Sequence, residues 1–259
     1  MKTHYRSVWI SDTHLCSRDS QAEMLHNFLD SIKVDQLYLV GDIIDVWALR
    51  KRWYWPAQYN EVVHKLLKRS RRGAHVIYVP GNHDEFFRAF VGYRFGEVEI
   101  QEDAIHEMAD GRRFLVIHGD VFDNIIRFHK WLSLLGGWAY AHLVTVNRIV
   151  NTIRKRCGKP YWSLAGATKR RVKHAIDFLS RFEETLVSEA RRRGVDGVIC
   201  GHVHQPVIRE MDGLTYCNTG DWVENCTALV ETFEGELKLV WWHQEVDARC
   251  APREAALAG

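Results

Sequence analysis

The 259-residue chain has no C-x-x-C pair, no apolar leader, no internal repeat or low-complexity tract and, between Asn124 and Ile176, no Asp or Glu. Each of these absences excludes something. Cys16, Cys157, Cys200, Cys217, Cys226 and Cys250 are scattered; an even count permits disulfides, but a long chain without a secretory signal points to reduced thiols in a cytosolic enzyme. The start, Met1-Lys2-Thr3-His4-Tyr5-Arg6-Ser7, lacks the hydrophobic core of a signal peptide. With 46% hydrophobic and 12% aromatic residues, disorder of the whole chain is excluded. The length suits one large α/β domain, or one domain with an inserted cap. The acid-free stretch carries eleven Lys or Arg, which leaves a formal −9 on the remainder of a chain whose net charge is +2. Within it, 131–150 approaches membrane-spanning length, but Gly136, Gly137, His142, Asn147 and Arg148 are costly in hydrocarbon. The expectation there is an apolar or interfacial helix pair.

What is present is a set of strand ends. The apolar run His75–Val79 is stopped by Pro80-Gly81, and then come an amide, an imidazole and a carboxylate: Asn82, His83 and Asp84. Open α/β sheets place their chemistry at such ends. Ser7–Ile10 leads to Asp12-Thr13-His14, Gln36–Val40 to Gly41-Asp42 with Asp45, Arg113–Ile117 to His118-Gly119-Asp120, and 194–200 to Gly201-His202-Val203-His204. Singly, each has an ordinary reading: a turn residue (Asn82, Asp45), a helix cap (Asp12, Asp84) or a surface histidine (His14). Five coinciding ends do not.

Between the ends, Leu25, Phe28, Leu29 and Ile32 form a stripe that predicts a helix over about 21–32, and a second helix is expected over 60–70. Phe86-Phe87-Arg88-Ala89-Phe90 reads as core. The aromatic, basic stretch 47–59 reads either as a packed connection or as one wall of a substrate cleft. Thr215–Asn218, Ala228–Thr232 and Glu236–Trp242 read as strands, with a hairpin turn at Glu234-Gly235, and 247–259 as a frayed tail.

Carboxylate and amide oxygens mixed with imidazoles suit Mn²⁺, Fe or Zn²⁺, and the lack of thiolates argues against a structural zinc site. Seven donors exceed what one ion with an open position needs, and fit two ions sharing a carboxylate, about 3.5–4 Å apart. The blocks resemble the calcineurin-type metallophosphoesterase superfamily, D-x-H, G-D-x-x-[DE], G-N-H-[DE], H-G and G-H-x-H, with no member missing across residues 8–204. That resemblance implies a four-layer αββα sandwich, one domain over 1–246, with a helical lid inserted at about 122–185. It implies that Asp12, His14 and His204 hold one divalent ion, Mn²⁺ first, and Asn82, His118 and His202 a second, with Asp42 bridging. His83 then faces the phosphate and could protonate the leaving oxygen, with Asp84 orienting its ring.

Within the superfamily, the chain is similar to the bacterial UDP-2,3-diacylglucosamine pyrophosphatases of lipid A synthesis in three features. These are its length, His118-Gly119-Asp120 with Asp123, and the insertion, followed later by Gly220-Asp221-Trp222. The resemblance implies a phosphorylated, lipid-like substrate under the lid, with Asp123, Arg127, Arg154, Lys169, Arg170 and Lys173 as contacts. The residues agree: apolar helix faces beside uncompensated cations suit an amphiphilic phosphate or an anionic membrane surface, more than nucleic acid. An ordinary solvated basic face is the alternative. The expected location is the cytoplasm, peripheral on the inner membrane. One departure is His83, where that group carries Arg. An expelled phosphate needs no proton donor, whereas an alkoxide does. Two rival readings are a phosphodiesterase or phosphatase for soluble nucleotides or phosphoproteins, and a non-catalytic module on the same fold.

Overall fold

The computed structural model describes residues 2–123 and 165–250. Strands β1 (Thr3–Ile10), β2 (Ile32–Val40) and β3 (His75–Val79) run parallel at the centre of a seven-stranded sheet, with Val8 opposite Leu37 and Leu37 opposite Val76. Period-2 alternation decides what each face does. Val8, Ile10, Leu37, Leu39, Val76 and Tyr78 share one apolar cluster with Leu25, Phe28 and Leu29 of α1 (Ala22–Ser31) and Val62 and Leu66 of α3 (Ala57–Ser70). Trp9, Tyr38, Val40, Ile77 and Val79 face the other way, into a cluster with Phe114, Val116, Ile199 and Cys217.

Those partners belong to a five-stranded sheet of β6 (Ala104–Glu107), β7 (Arg113–Val116), β8 (Gly197–Cys200), β9 (Val207–Met211) and β10 (Leu214–Asn218), ordered β6-β7-β8-β10-β9. The first sheet is completed by β4 (Arg94–Phe95) and β5 (Val98–Ile100) on one side. On the other lie β11 (Thr227–Glu231) and β12 (Leu237–Trp241), joined through Gly235 at φ +83°. The remaining helices are α2 (Val46–Lys51), α4 (Ala165–Arg192) and α5 (Trp242–Cys250). The architecture is an α/β sandwich of two face-to-face sheets, with α1 and α3 packed on the outer face of the first.

A buried ion cluster lies between the sheets. Arg6 donates to both oxygens of Glu231 at 2.8 and 2.7 Å, His106 Nε2 lies 2.9 Å from the same carboxylate, and Ala109 N–H donates to it at 2.8 Å. Tyr38 Oη lies 3.0 Å from His106 Nδ1. A buried charge is tolerable only with such partners.

Three expectations need correction. Ile32 leaves the helical stripe with an extended backbone and opens β2, because its side chain serves the sheet rather than the helix. Asp247–Cys250, expected in a frayed tail, continue α5, anchored at its start by buried Trp242. The Phe86 segment is a 3-10 helix (Glu85–Phe90) that is core only in part: at three residues per turn Phe87 and Phe90 share one face and pack, partly buried, against the first cluster, while Phe86 is left exposed.

Packing divides the chain into two compact units, Met1–Asp120 with Leu186–Gly259, and Val121–Thr185. The expected apolar helix pair at 131–150 lies outside the described residues, as do Arg127 and Arg154. Lys169, Arg170 and Lys173 fall on α4 and Asp123 on the 3-10 turn Asp120–Asp123, but their side chains also lie outside what is described. Among the described residues, no helix is long and apolar enough to cross a membrane.

Candidate metal centre

Beyond the strands, the loops after β1 and β2 stay laddered. Asp12 N–H donates to Gly41 O at 3.0 Å, His14 N–H to Asp42 O at 2.9 Å and Leu15 N–H to Ile43 O at 3.0 Å. Five donors sit in the left-handed region: Asp12 (φ 50°), His14 (43°), Asp42 (54°), His202 (70°) and His204 (55°). Each such residue costs on the order of 1–2 kcal/mol and persists only where its surroundings over-determine it. Strain of this kind, gathered on one set of side chains, marks a site.

The glycines of the motifs interlock these loops. A Cβ on Gly41 would lie 2.2 Å from His118 Nδ1, one on Gly81 2.3 Å from Asp42 Oδ1, and one on Gly201 2.5 Å from Asp12 Oδ2. Each glycine therefore yields its side-chain space to a donor from another strand end.

Among the described residues three groups have ligand atoms within 4.8 Å of one another: Asp12, His14 and His204; Asp42, His118 and His202; and His14, Asp45 and His83; the first two take in the predicted donors. In the first, His204 Nε2 stands 3.2 Å from Asp12 Oδ1 and 3.4 Å from His14 Nε2. Asp12 Oδ2 is engaged by His202 N–H at 3.0 Å, which leaves Oδ1 to face the histidines. In the second, His118 Nδ1 lies 2.9 Å from Val40 O, which can only accept, so Nδ1 carries the proton and Nε2 presents its lone pair. Asp42 joins the groups: Oδ1 accepts from His83 N–H at 2.8 Å, while Oδ2 lies 3.5 Å from His118 Nε2 and 3.9 Å from His14 Nε2.

These residues fit divalent cations. Asp12 Oδ1, Asn82 Oδ1 and His118 Nε2 are buried and make no hydrogen bond among the described residues. A lone pair on His118 Nε2 opposite a carboxylate oxygen sets two acceptors face to face, which only a cation or a proton relieves. Burial pushes the His118 imidazole down, but the Asp42 carboxylate more than reverses this and raises its pKa overall. Burial likewise lifts Asp42, and the surrounding imidazoles, His118 foremost, bring it well below the usual carboxylate range.

Asp84 does not orient His83. It is fully buried and accepts from Ile43 N–H at 2.7 Å, Gly81 N–H at 2.6 Å and the Tyr78 hydroxyl, so it ties the loops after β2 and β3 together. The reason is that both Asp84 oxygens are taken up by these donors, Oδ1 by Gly81 and Oδ2 by Ile43 and Tyr78. The carboxylate beside His83 is Asp45, with Oδ1 3.1 Å from His83 Nδ1 and Oδ2 3.5 Å from His14 Nδ1. Asp45 also caps α2 by accepting from Ala48 N–H at 2.7 Å. Trp47 covers the His83 ring at a centroid distance of 4.4 Å. The spacing G-D-x-x-D was the available signal for Asp45; Trp47 had none beyond its place in an aromatic run. At the back of the site, the turn after β10 closes on Asp12: Trp222 N–H donates to Asp12 O at 3.0 Å, and Asp221 Oδ1 accepts from Val223 and Glu224 N–H at 2.8 and 2.6 Å.

Residues 5–206 match the calcineurin-like phosphoesterase family, and the chain belongs to it. It is therefore a metal-dependent hydrolase of phosphate esters or pyrophosphates. Among known proteins it is similar to the UDP-2,3-diacylglucosamine hydrolase of Aeromonas salmonicida (strain A449), 24% identical over 241 residues that cover 86% of this chain and 89% of that protein. It is also similar to the UDP-2,3-diacylglucosamine hydrolase of Haemophilus influenzae (strain PittGG), 25% identical over 246 residues that cover 88% and 95%. The solved structure of an archaeal phosphodiesterase overlays 90% of this chain and 98% of its own at 14% identity and a TM-score of 0.39.

Proposed function

We propose that this protein is a di-metal phosphoesterase that hydrolyses an amphiphilic phosphate or pyrophosphate, UDP-2,3-diacylglucosamine or a close analogue, at the cytoplasmic face of the inner membrane. Asp12, His14 and His204 would hold one ion, and Asn82, His118 and His202 the other, with Asp42 shared and Mn²⁺ the first choice, Fe or Zn²⁺ next. The single observation that carries this is Asp42 Oδ2, which faces His14 of one group and His118 of the other. Two divalent ions in such a site lower the pKa of water toward neutrality and neutralise phosphoryl charge.

The chain's own residues do the rest. Asp45 Oδ1 stands 3.1 Å from His83 Nδ1, and we take Nε2 as the nitrogen that meets the leaving oxygen. In its imidazolium form, His83 donates the Nε2 proton to that oxygen as its bond to phosphorus breaks, a contribution of about 10²–10⁴-fold for a poor leaving group. Trp47 limits the ring's rotation and keeps water off one face.

The lipid reading is supported by the two similar hydrolases and by the basic, apolar insertion at about 122–185, which we take to be a helical lid with Asp123, Arg127, Arg154, Lys169, Arg170 and Lys173 toward the substrate. A second reading, an ordinary ester with an alkoxide leaving group, is favoured by the His83–Asp45 pair. Hydrolysis of detergent-dispersed UDP-2,3-diacylglucosamine should exceed that of soluble nucleotides in Mn²⁺, and Asp42→Ala should abolish both. A preference for the soluble substrates would remove the lipid reading, and an active Asp42→Ala variant would remove the di-metal one.

A further inference from the structure

The face beside the metal centre, formed by the end of α2 and the segment 85–95, is unusual in composition. Trp53 is 74% exposed, Phe86 55%, Tyr93 64% and Phe95 52%. Scattered exposed apolar side chains are ordinary, but these are connected. Ring pairs run from the interior outward, Tyr78–Phe87 at 5.3 Å, Phe87–Phe86 at 5.7 Å, Phe86–Phe90 at 5.5 Å and Phe90–Phe95 at 5.5 Å. An apolar groove of about 490 Å³ opens between them, with Ile44, Val46, Leu49 and Phe87 as its floor and Trp53 and Phe86 at its rim. The groove adjoins the reaction site, because Val46 N–H donates to His83 O at 3.1 Å and Ile44 follows the Asp42 loop. Next to the rim, Arg50, Lys51 and Arg52 are consecutive and exposed, and among the described residues none of them forms an ion pair. The opposing charge is Glu85 on this face and exposed Glu97 beyond Phe95, while Glu99 is already paired with Arg94 at 2.9 Å.

We infer that this aromatic and basic face docks on an anionic lipid bilayer, with Trp53, Phe86 and Phe95 at headgroup level and Arg50, Lys51 and Arg52 on the lipid phosphates. The inference rests on the reading that the substrate is a membrane amphiphile. Rings that are apolar in body and sit among cations match the boundary between headgroups and acyl chains, where each requirement is met at once. The groove then opens at the membrane, and a lipid headgroup reaches the metal centre without its chains crossing water.

Co-sedimentation of the whole protein with phosphatidylcholine vesicles, with and without phosphatidylglycerol, tests it. The wild type should bind the anionic vesicles and be released by salt. Replacing Arg50, Lys51 and Arg52 together by Ser should weaken that binding on the order of 100-fold, at roughly fivefold per cation. Trp53→Ala with Phe95→Ala should weaken it by about tenfold or more through lost apolar burial. Both variants should melt within a few degrees of the wild type, since the side chains are exposed. Wild-type binding in both variants, or no binding by the wild type, would overturn the inference. Hydrolysis of UDP-2,3-diacylglucosamine in detergent micelles separates the two readings. Hydrolysis without vesicle binding overturns the docking face alone, and vesicle binding without hydrolysis supports the face and overturns the substrate.

Discussion

Gly81→Ala isolates the close approach on which the centre depends. Gly81 is not in the left-handed region, so an alanine there meets no backbone penalty; what it meets is Asp42 first, and then His118 Cδ2 at 2.7 Å. The added Cβ would stand 2.3 Å from Asp42 Oδ1 and 2.7 Å from Asp42 N, where ordinary contact begins near 3.4 Å. Turning the Asp42 side chain relieves only the first clash, so the β2 loop must retreat by about 1 Å. Asp42 Oδ1 would lose the His83 N–H at 2.8 Å, and Oδ2 would leave its place between His118 and His14. A displacement of that size costs about 10²-fold in rate. Overpacking adds about 1–3 kcal/mol of instability, a few degrees of melting for a chain this long. Steady-state hydrolysis of bis(p-nitrophenyl) phosphate with titrated Mn²⁺ should show a fall in kcat and weaker metal dependence, with circular dichroism unchanged. The control is Gly111→Ala, where φ is +87° and nothing lies within 4 Å: it should lose stability through backbone strain and keep its activity. A Gly81→Ala enzyme as active as the wild type would refute the idea that this contact positions Asp42.

Other outcomes follow from the same geometry. Gly201→Ala should resemble Gly81→Ala through Asp12, since its Cβ would meet Asp12 Oδ2 at 2.5 Å; metal content after dialysis, read by atomic absorption, should fall. Asp45→Asn should lower kcat on alkyl phosphate esters by about 10²-fold or more while sparing pyrophosphate cleavage, because only the former needs the His83 proton; equal losses on both would count against that role. Glu231→Gln should destabilise the fold: burial pushes this carboxyl up, but His106, Ala109 N–H, Ser7 and Arg6 bring it from about 4.5 down to about 2. A depressed folded pKa contributes stability above the unfolded value that is lost as pH falls through the folded one, about 3 kcal/mol here. Urea unfolding should therefore show a gap between wild type and variant at neutral pH that narrows below about pH 4.5, and a gap constant with pH would argue for packing instead.

The sequence alone determined which faces are apolar and which residues stand at strand ends. Both follow from backbone repeats that any local stretch obeys: Val8 and Ile10 against Trp9, and Leu25, Phe28 and Leu29 along one stripe. It offered the candidate donors as well, since Asp12, His14, Asp42, Asn82, His118, His202 and His204 could be picked out by type and position. The tertiary structure decided their partners. That Asp45 rather than Asp84 stands beside His83, that Gly41 makes room for His118, and that Glu231 meets Arg6 and His106 all depend on registers between segments far apart in the chain. It also decided that Phe87 and Phe90 pack against the core while Phe86 stays exposed. A local pattern records a residue's side of its own element, whereas which distant loop fills the adjoining space is fixed only when the strands align.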